Sequence, residues 1–466
     1  MSANAKTDTP TLRSADGAEA VPLTLVAKPA LDAWREAQPP RLRAWAEQAG
    51  FKAEAGGICL VPDDEGRLAR VLAGLGDGED PWAAGSLPGA LPPGCYRLDP
   101  EPEPAAATRH ALAWALGSYA FTRYRRKEKT FASLVWPQGA DRAAVERAAG
   151  ATHLVRDLVN TPAGDLGPAE LAEAALDLAR EFGAEATVVV GDDLLAGNWP
   201  AVHAVGRAST RAPRLVDLAW GEAGAPLVAV IGKGVCFDTG GLDIKPSSAM
   251  LNMKKDMGGA AHALGLARMV MAAKLPVRLR VLIPAVENSI SGDAFRPMDV
   301  LRTRKGLTVE VGNTDAEGRL ILCDALHEAA QDRPDLMIDF ATLTGAARVA
   351  LGPDLPALFC NDDALAADLL AAGAEVADPL WRLPLHRGYR RMLDSKVADI
   401  NNTGSGGHAG AITAALFLQA FVPDGVRWAH LDTFAWNQSS RPARPEGGEA
   451  LGMRAAFRLL EQYYGK

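Results

Sequence analysis

Short apolar runs bounded by glycine and proline recur along the chain, and their spacing divides it into two textures. Between residues 21 and 140, "VPLTLVA", "GGICLVP" and "FASLVW" read as strands, and Ala105 to Lys127 as the strongest helix. Ahead of that helix, "DPWAAGSLPGALPPGCYRLDPEPEP" is rich in Pro and Gly and reads as loop with at most one short strand. No candidate chemistry stands out here, and the region has the character of a small α/β domain. The first 20 residues are small, polar and without period, and read as disordered.

From about Asp141 the pattern changes. "RAAVERAAGATHLVRDLVNTP" is a long helix ending before Pro162, and "GPAELAEAALDLAREFG" is a second. Continuous apolar runs follow: "RLVDLAW", "PLVAVIG", "VRLRVLIPAV", "LTVEVG", "DLMIDFATL" and "VRWAHLD". Helical periodicity lies between most of them, at 257–273, 319–331 and 411–421, with another stretch at 449–464. Strands buried on both faces and alternating with helices predict a mostly parallel central sheet covered by helices on both faces. The expected division is therefore a disordered 1–20, a small N-terminal α/β domain over 21–140, and a larger C-terminal domain over 141–466.

Composition narrows the class. The 466 residues are 48% apolar and 23% charged, ordinary for a globular protein of two or three domains. A net charge of −8 gives no general attraction to nucleic acid or anionic lipid. Five cysteines (Cys59, Cys95, Cys236, Cys323, Cys360) form no C-x-x-C pair and read as reduced thiols. The N-terminal stretch lacks the apolar core of a signal peptide, and no run reaches transmembrane length, so a cytoplasmic protein is expected.

Chemistry gathers after three strands. "LVAVIG" is followed by "KGVCFDTGGLDIKPSSAMLNMKKDMGGAAHA", "LTVEV" by "GNTDAEGRL", and "LMIDFA" by "TLTGA". Ligands in open α/β sheets bind beyond the carboxyl ends of strands. If these three strands are neighbours, Lys233, Asp238, Lys245, Asp256, Asp315, Glu317 and Arg319 converge on one crevice. Four carboxylates in one cleft need cations, and oxygen donors without histidine in ligand spacing suit hard or borderline divalent metals. A pair of ions roughly 3.5–4 Å apart can share carboxylates, activate a water and hold an oxyanion. Gly232, Gly234, Gly240 and Gly241 permit tight turns, while Gly258 and Gly259 would let the following helix pack closely.

Each piece alone has a plainer reading. A D-x-E before a helix is usually an N-terminal cap, and a lysine usually lies solvated along its own stem. His262 and His430 lie in apolar stretches and read as core histidines. The run "RYRRKEK" reads as a solvated helix end. Convergence of three strand ends is what favours a site.

These residues resemble the leucyl aminopeptidases, the cytosol aminopeptidase family of dinuclear metallopeptidases. "NTDAEGRL" matches the family's signature. "GKGVCFDTGGLDIKPSSAMLNMKKDMGGAA" matches its other site segment, with Asp238, Lys245 and Asp256 five, twelve and 23 residues after Lys233. "RDLVNTP", "ATLTGA" and "GAITAALFL" extend the likeness over about residues 150–435.

The resemblance implies an aminopeptidase acting on short peptides with a free N-terminus. Leucine-like and other apolar first residues would be preferred, and a metal-bridging water would attack. Lys233, Asp238, Asp256, Asp315 and Glu317 would be metal ligands, Asp238 and Glu317 being shared between the two ions. Those ions would be Mn²⁺ or Zn²⁺, with Co²⁺ or Mg²⁺ as alternatives. Lys245 would polarise the scissile carbonyl, and Arg319 would hold a bicarbonate acting as general base. Met253, Asn313, Ala316, Thr342 and Gly345 would line the pockets flanking the cut. The family also implies a homohexamer with active sites facing an inner cavity.

A lysine amine binds metal only when deprotonated, so Lys233 is expected far below the ordinary ~10.4, with two nearby divalent cations and partial burial acting in that direction. Three features depart from the family pattern: Cys236 beside Asp238, expected to sensitise the site to oxidants; His408 in "TGSGGHAGA"; and the tail "FAWNQSSRPARPEGGEALGM", which bears on the specificity pocket. The alternatives are a dinuclear-metal phosphoesterase and a secondary DNA-binding role. A nucleotide site is disfavoured because "GKGVCFDTGG" lacks the G-x-x-x-x-G-K-[ST] order.

Overall fold

The computed structural model describes residues 9–14, 19–126 and 129–465. Two compact units emerge: Met1–His153 with Asn437–Glu446, and Leu154–Trp436 with Gly447–Lys466.

The larger unit is built on a nine-stranded sheet. Four neighbouring parallel strands form its centre, in the order Trp428–Asp432, Leu336–Ala341, Leu227–Gly232 and Arg278–Asn288. Arg214–Trp220 and Glu185–Val190 add antiparallel on one side. Ala357–Cys360 adds antiparallel on the other and carries Trp381–Arg382 at the edge. Every residue of Leu227–Gly232, Leu336–Ala341 and Trp428–Asp432 is buried, as expected for strands covered on both faces. Ala229 and Ile231 pack into one core with residues of the helices Pro200–Gly206, Glu317–Gln331 and Gly410–Gln419. Val228 and Val230 alternate with them and face the other side, where Gly258–Ala272 runs along the sheet.

The sheet corrects two expectations. "GVCFD" is itself a strand, Gly234–Asp238, parallel to the far end of Arg278–Asn288. Thr308–Glu310, from "LTVEV", is not a neighbour of the other two strands. It forms a separate three-stranded sheet with Val300–Arg302 and Ile400–Asn401.

The smaller unit has a six-stranded sheet in the order Leu12–Arg13, Ser133–Val135, Cys95–Leu98, Val21–Val26, Leu68–Gly74 and Ile58–Pro62. Its pairs are parallel except the last. Part of the stretch expected to be disordered is thus a paired strand, while residues 1–8 and 15–18 lie outside the described residues. The helix expected from Ala105 to Lys127 is Pro104–Gly117. It stops where a Cβ on Gly117 would collide with the Gly85 carbonyl and where Ser118 Oγ donates back to Trp114 O at 2.7 Å. The Pro/Gly-rich loop holds the short helices Ala83–Ser86 and Leu87–Ala90 besides its one strand.

The division between the two units falls inside the continuous helix Arg142–Asn160, and residues 437–446 rejoin the smaller unit. There the backbone of Ala443 lies so close to Gly85 that a Cβ on that glycine would sit 2.5 Å from Ala443 N. Among the described residues no helix is long and apolar enough to cross a membrane. All five cysteines are free, and all but Cys95 are buried.

One backbone contact sets the position of the strand ends. A Cβ on Gly259 would collide with the Phe340 carbonyl oxygen and lie 2.8 Å from Lys233 N. Ala260 N donates to Lys233 O at 2.8 Å. The helix backbone therefore lies directly on two strands, at a distance only glycine permits. Gly259→Ala is expected to lower stability by about 1–3 kcal/mol, as overpacking of a close-packed core does, in urea unfolding followed by circular dichroism.

Candidate active site

The residues singled out from the sequence meet beyond the carboxyl ends of the central strands. Lys233 follows Leu227–Gly232, Asp238 ends Gly234–Asp238, and Thr342 follows Leu336–Ala341. Asp256 lies in the short helix Met253–Met257, which leads into Gly258–Ala272. Asp315 occupies the turn before the helix Glu317–Gln331, whose first residue is Glu317.

Two lysines divide the acids between them. Lys233, 3% exposed, places Nζ 2.7 Å from Asp256 Oδ2 and 3.0 Å from Glu317 Oε1, and donates to Thr342 O at 3.0 Å. Lys245 Nζ lies 2.9 Å from Asp238 Oδ2 and also pairs with Asp315 Oδ1. Carboxylate oxygens of Asp238, Asp315 and Glu317 lie within 4.8 Å of one another. Thr342 Oγ1 donates to Asp256 Oδ1 at 2.9 Å. Gly318 is required here, since a Cβ would lie 2.5 Å from Lys233 Cε.

This much negative charge is poorly compensated without metal. Burial, and then Asp238, push the Glu317 carboxyl up to about 8. The same two causes push Asp315 up to about 6. Both Glu317 carboxylate oxygens are buried, and beside the Lys233 ammonium at Oε1 they have no hydrogen-bond donor among the described residues. Oxygen donors with unused lone pairs at this spacing fit divalent cations.

Burial opposes the charge of Lys233 too, but Asp256, Glu317 and Asp238 hold its amine above the ordinary lysine value. Without metal, Lys233 is the counter-ion of the acids.

Arg319 belongs to neither pair. It is 7% exposed and donates from a terminal nitrogen to Asn402 O at 2.7 Å, while its buried Nε has no acceptor. Burial pulls the guanidinium down to about 10, still charged at neutral pH. A buried N–H without an acceptor suits a small anion.

Asn313 and Ala316 flank Asp315 in its turn, and Asn313 Oδ1 accepts from Asp315 N at 2.7 Å. Met253 opens the short helix, and Gly345 follows the N-cap Thr344 of Gly345–Leu351. His408 is exposed.

His262 accepts from Leu451 N at Nε2, 2.9 Å, so Nδ1 carries the proton toward Gly258 O at 2.6 Å. His430 donates to Asp339 Oδ1 at 2.6 Å. Both are core histidines, as expected. Cys236 is 1% exposed, and burial, with Glu287 and Glu170, pushes its thiol well up. A buried neutral thiol resists oxidation, against the expectation of a sensitive site.

Three supporting residues escaped the sequence reading. Asn288, wholly buried, donates from Nδ2 to Asp238 Oδ1 at 2.9 Å and to Thr314 O at 3.1 Å. Asp243 Oδ2 accepts from Thr314 N at 2.8 Å. Asn402 accepts from Gly312 N at 2.7 Å and donates to Asn313 O at 2.8 Å, tying the Asp315 turn to a distant segment. Asn288 ends a strand, a position that could have marked it; Asn402 had no local signal.

The pH dependence of the metal-free protein follows. Native Glu317 and Asp315 retain protons at pH values where the unfolded chain, with ordinary values of 4.5 and 3.8, has released them. Stability should therefore fall as pH rises from about 4 to about 8. Thermal melts in chelator should show this fall, and Glu317→Gln should remove much of it.

Comparison with known proteins accords with this geometry. The model of the cytosol aminopeptidase family catalytic domain matches residues 153–457, and that of the M17 aminopeptidase N-terminal domain matches residues 21–137. A probable cytosol aminopeptidase of Roseiflexus castenholzii is 43% identical over 382 residues, covering 78% of this chain and 77% of its own. Peptidase B of Pectobacterium carotovorum is 42% identical over 360 residues, covering 74% and 83%. Among solved structures, the cytosol aminopeptidase of Coxiella burnetii superposes with a TM-score of 0.94 at 50% identity, covering 98% of this chain and all (100%) of its own. The bottromycin maturation enzyme BotP in complex with Mn gives 0.85 at 36% identity, covering 95% and 99%.

Proposed function

The chain belongs to the cytosol aminopeptidase family and is an aminopeptidase; we propose that it releases single residues, leucine-like and other apolar ones foremost, from the free N-terminus of short peptides. The observation that carries this is the cluster of Asp238, Asp315 and Glu317, two of them buried, with only the Lys233 ammonium against the Glu317 carboxylate.

Lys233, Asp238, Asp256, Asp315 and Glu317 would hold two divalent ions, Asp238 and Glu317 being shared. Mn²⁺ or Zn²⁺ suits such donors best. Bound there, the ions would supply Lewis acidity for the substrate and lower the pKa of a water.

The chain's own groups do the rest. Lys245 is less enclosed than Lys233, with 12% of its side chain exposed against 3%. It would remain a charged donor for the oxyanion that develops on the carbonyl. Arg319 Nε, without a protein acceptor, would anchor a bicarbonate to take the proton. Met253, Asn313, Ala316, Thr342 and Gly345 would border the residues on either side of the cut. A homohexamer and a cytoplasmic location complete the proposal.

The decisive assay pairs leucine and methionine anilides with their N-acetyl forms in Mn²⁺ or Zn²⁺. Free amines should be turned over and acetylated ones should not; equal turnover would refute exopeptidase action. Asp315→Asn should abolish activity while leaving circular dichroism unchanged.

The lysines should separate in metal titrations. Lys233→Met should weaken binding of one ion, with activity partly restored by excess metal. Lys245→Met should bind both ions yet turn over about 10²–10³-fold more slowly at any metal concentration. Superimposable titrations would overturn these roles.

A further inference from the structure

The two amide protons of Asn288 go to two different loops of the site. Asn288 ends the strand Arg278–Asn288, directly beside Asp238 in parallel register, and its side chain is wholly buried. Nδ2 donates to Asp238 Oδ1 at 2.9 Å and to Thr314 O at 3.1 Å, and Thr314 precedes Asp315. A primary amide has two such protons, so both are in use. The group cannot turn over, because its oxygen would then face the same two acceptors. In the orientation it keeps, Oδ1 is buried and has no donor among the described residues. Buried amide oxygens normally find a partner, so the two donated bonds are what hold this side chain.

Its backbone is fixed as well. Thr239 donates to Asn288 O twice, from N at 3.1 Å and from Oγ1 at 2.8 Å. A Cβ on Gly241, where φ is +65°, would lie 2.9 Å from Asn288 Oδ1 and 2.9 Å from Thr314 Oγ1. Asn288 therefore has no room to follow either loop, and both loops are held to it.

The consequence falls on the two oxygens of Asp238. Oδ1 accepts from Asn288 and also from Gly240 N at 2.8 Å, which occupies its lone pairs. Oδ2 meets a cation instead, the Lys245 ammonium at 2.9 Å. Glu317 differs, since beside Lys233 at Oε1 neither of its oxygens has a donor among the described residues. The two acids assigned above to both ions are thus unequal: Glu317 has two oxygens to offer and Asp238 has one.

We propose that Asn288 is a positioning residue for metal binding: it turns Asp238 so that the carboxylate meets the ions through Oδ2 alone, and it fixes that carboxylate against the turn carrying Asp315. The proposal rests on the two-metal site of the preceding subsection. Hydrogen-bond partners of ligating groups typically set metal affinity by about 10–100-fold.

The test titrates Mn²⁺ by calorimetry into chelator-treated, dialysed protein. Wild type is compared with Asn288→Leu, which keeps the branched shape without the donors, and with Asn288→Ala. Both variants should bind at least one Mn²⁺ about 10–100-fold more weakly than wild type. Turnover of Leu-anilide should recover as Mn²⁺ is raised, with KM for the anilide unchanged once metal saturates. A lower melting temperature with wild-type Mn²⁺ affinities would make Asn288 structural only and overturn the proposal. A crystal structure of the Mn²⁺-loaded wild type needs no variant to fold: Asp238 Oδ1 should stay on Asn288 and Gly240, and a metal–Oδ1 bond would overturn the assignment. If wild type binds no divalent ion, the two-metal site falls as well; two ions bound with affinities that Asn288 does not move remove this proposal alone.

Discussion

Carboxylates held within 4.8 Å of each other, two of them shielded from water, repel strongly, and much of this molecule is arranged around keeping them there. Two ammonium groups are not enough. Lys233 bridges Asp256 and Glu317, Lys245 bridges Asp238 and Asp315, and the carboxyls of Glu317 and Asp315 still lie above their ordinary values. Arg319, the nearest cation in sequence, is turned to the Asn402 carbonyl instead. The site is built with a deficit of positive charge, and divalent ions are the natural complement.

Holding such a cluster requires a rigid surround, and backbone contacts provide it. Gly259 lets a helix lie directly on the strands that end at Lys233 and Thr342, and Gly318 makes room for the Lys233 stem. Asn288 fixes Asp238 from a third strand, and Asn402 ties down the turn that carries Asp315. Side chains that must meet within a few ångströms thus come from elements whose separation is set by main-chain atoms, not by adaptable side chains.

Much of this was legible in the sequence, for identifiable reasons. Strands buried on both faces appear as unbroken apolar runs, so Leu227–Gly232, Leu336–Ala341 and Trp428–Asp432 stood out. Special residues placed after strands marked Lys233, Asp238 and Asp315 as candidates for one crevice. What could not be read was partnership across long separations. Thr308–Glu310 has the texture of a central strand yet pairs with Ile400–Asn401, and nothing local to Asn402 reveals its hold on residues 312 and 313. Protonation was equally hidden, since the state of Lys233 depends on three acids from three separate segments.

The return of residues 437–446 to the N-terminal unit has a consequence for biosynthesis. A ribosome delivers the first 153 residues long before that ten-residue segment. At about 5–20 residues per second the N-terminal unit waits on the order of tens of seconds for its last piece. Its closure is therefore a late event that follows synthesis of the strands bearing the acids. A nascent chain cut short before residue 437 would lack Ala443 and leave the surface around Gly85 uncovered, exposing an incomplete product to quality control.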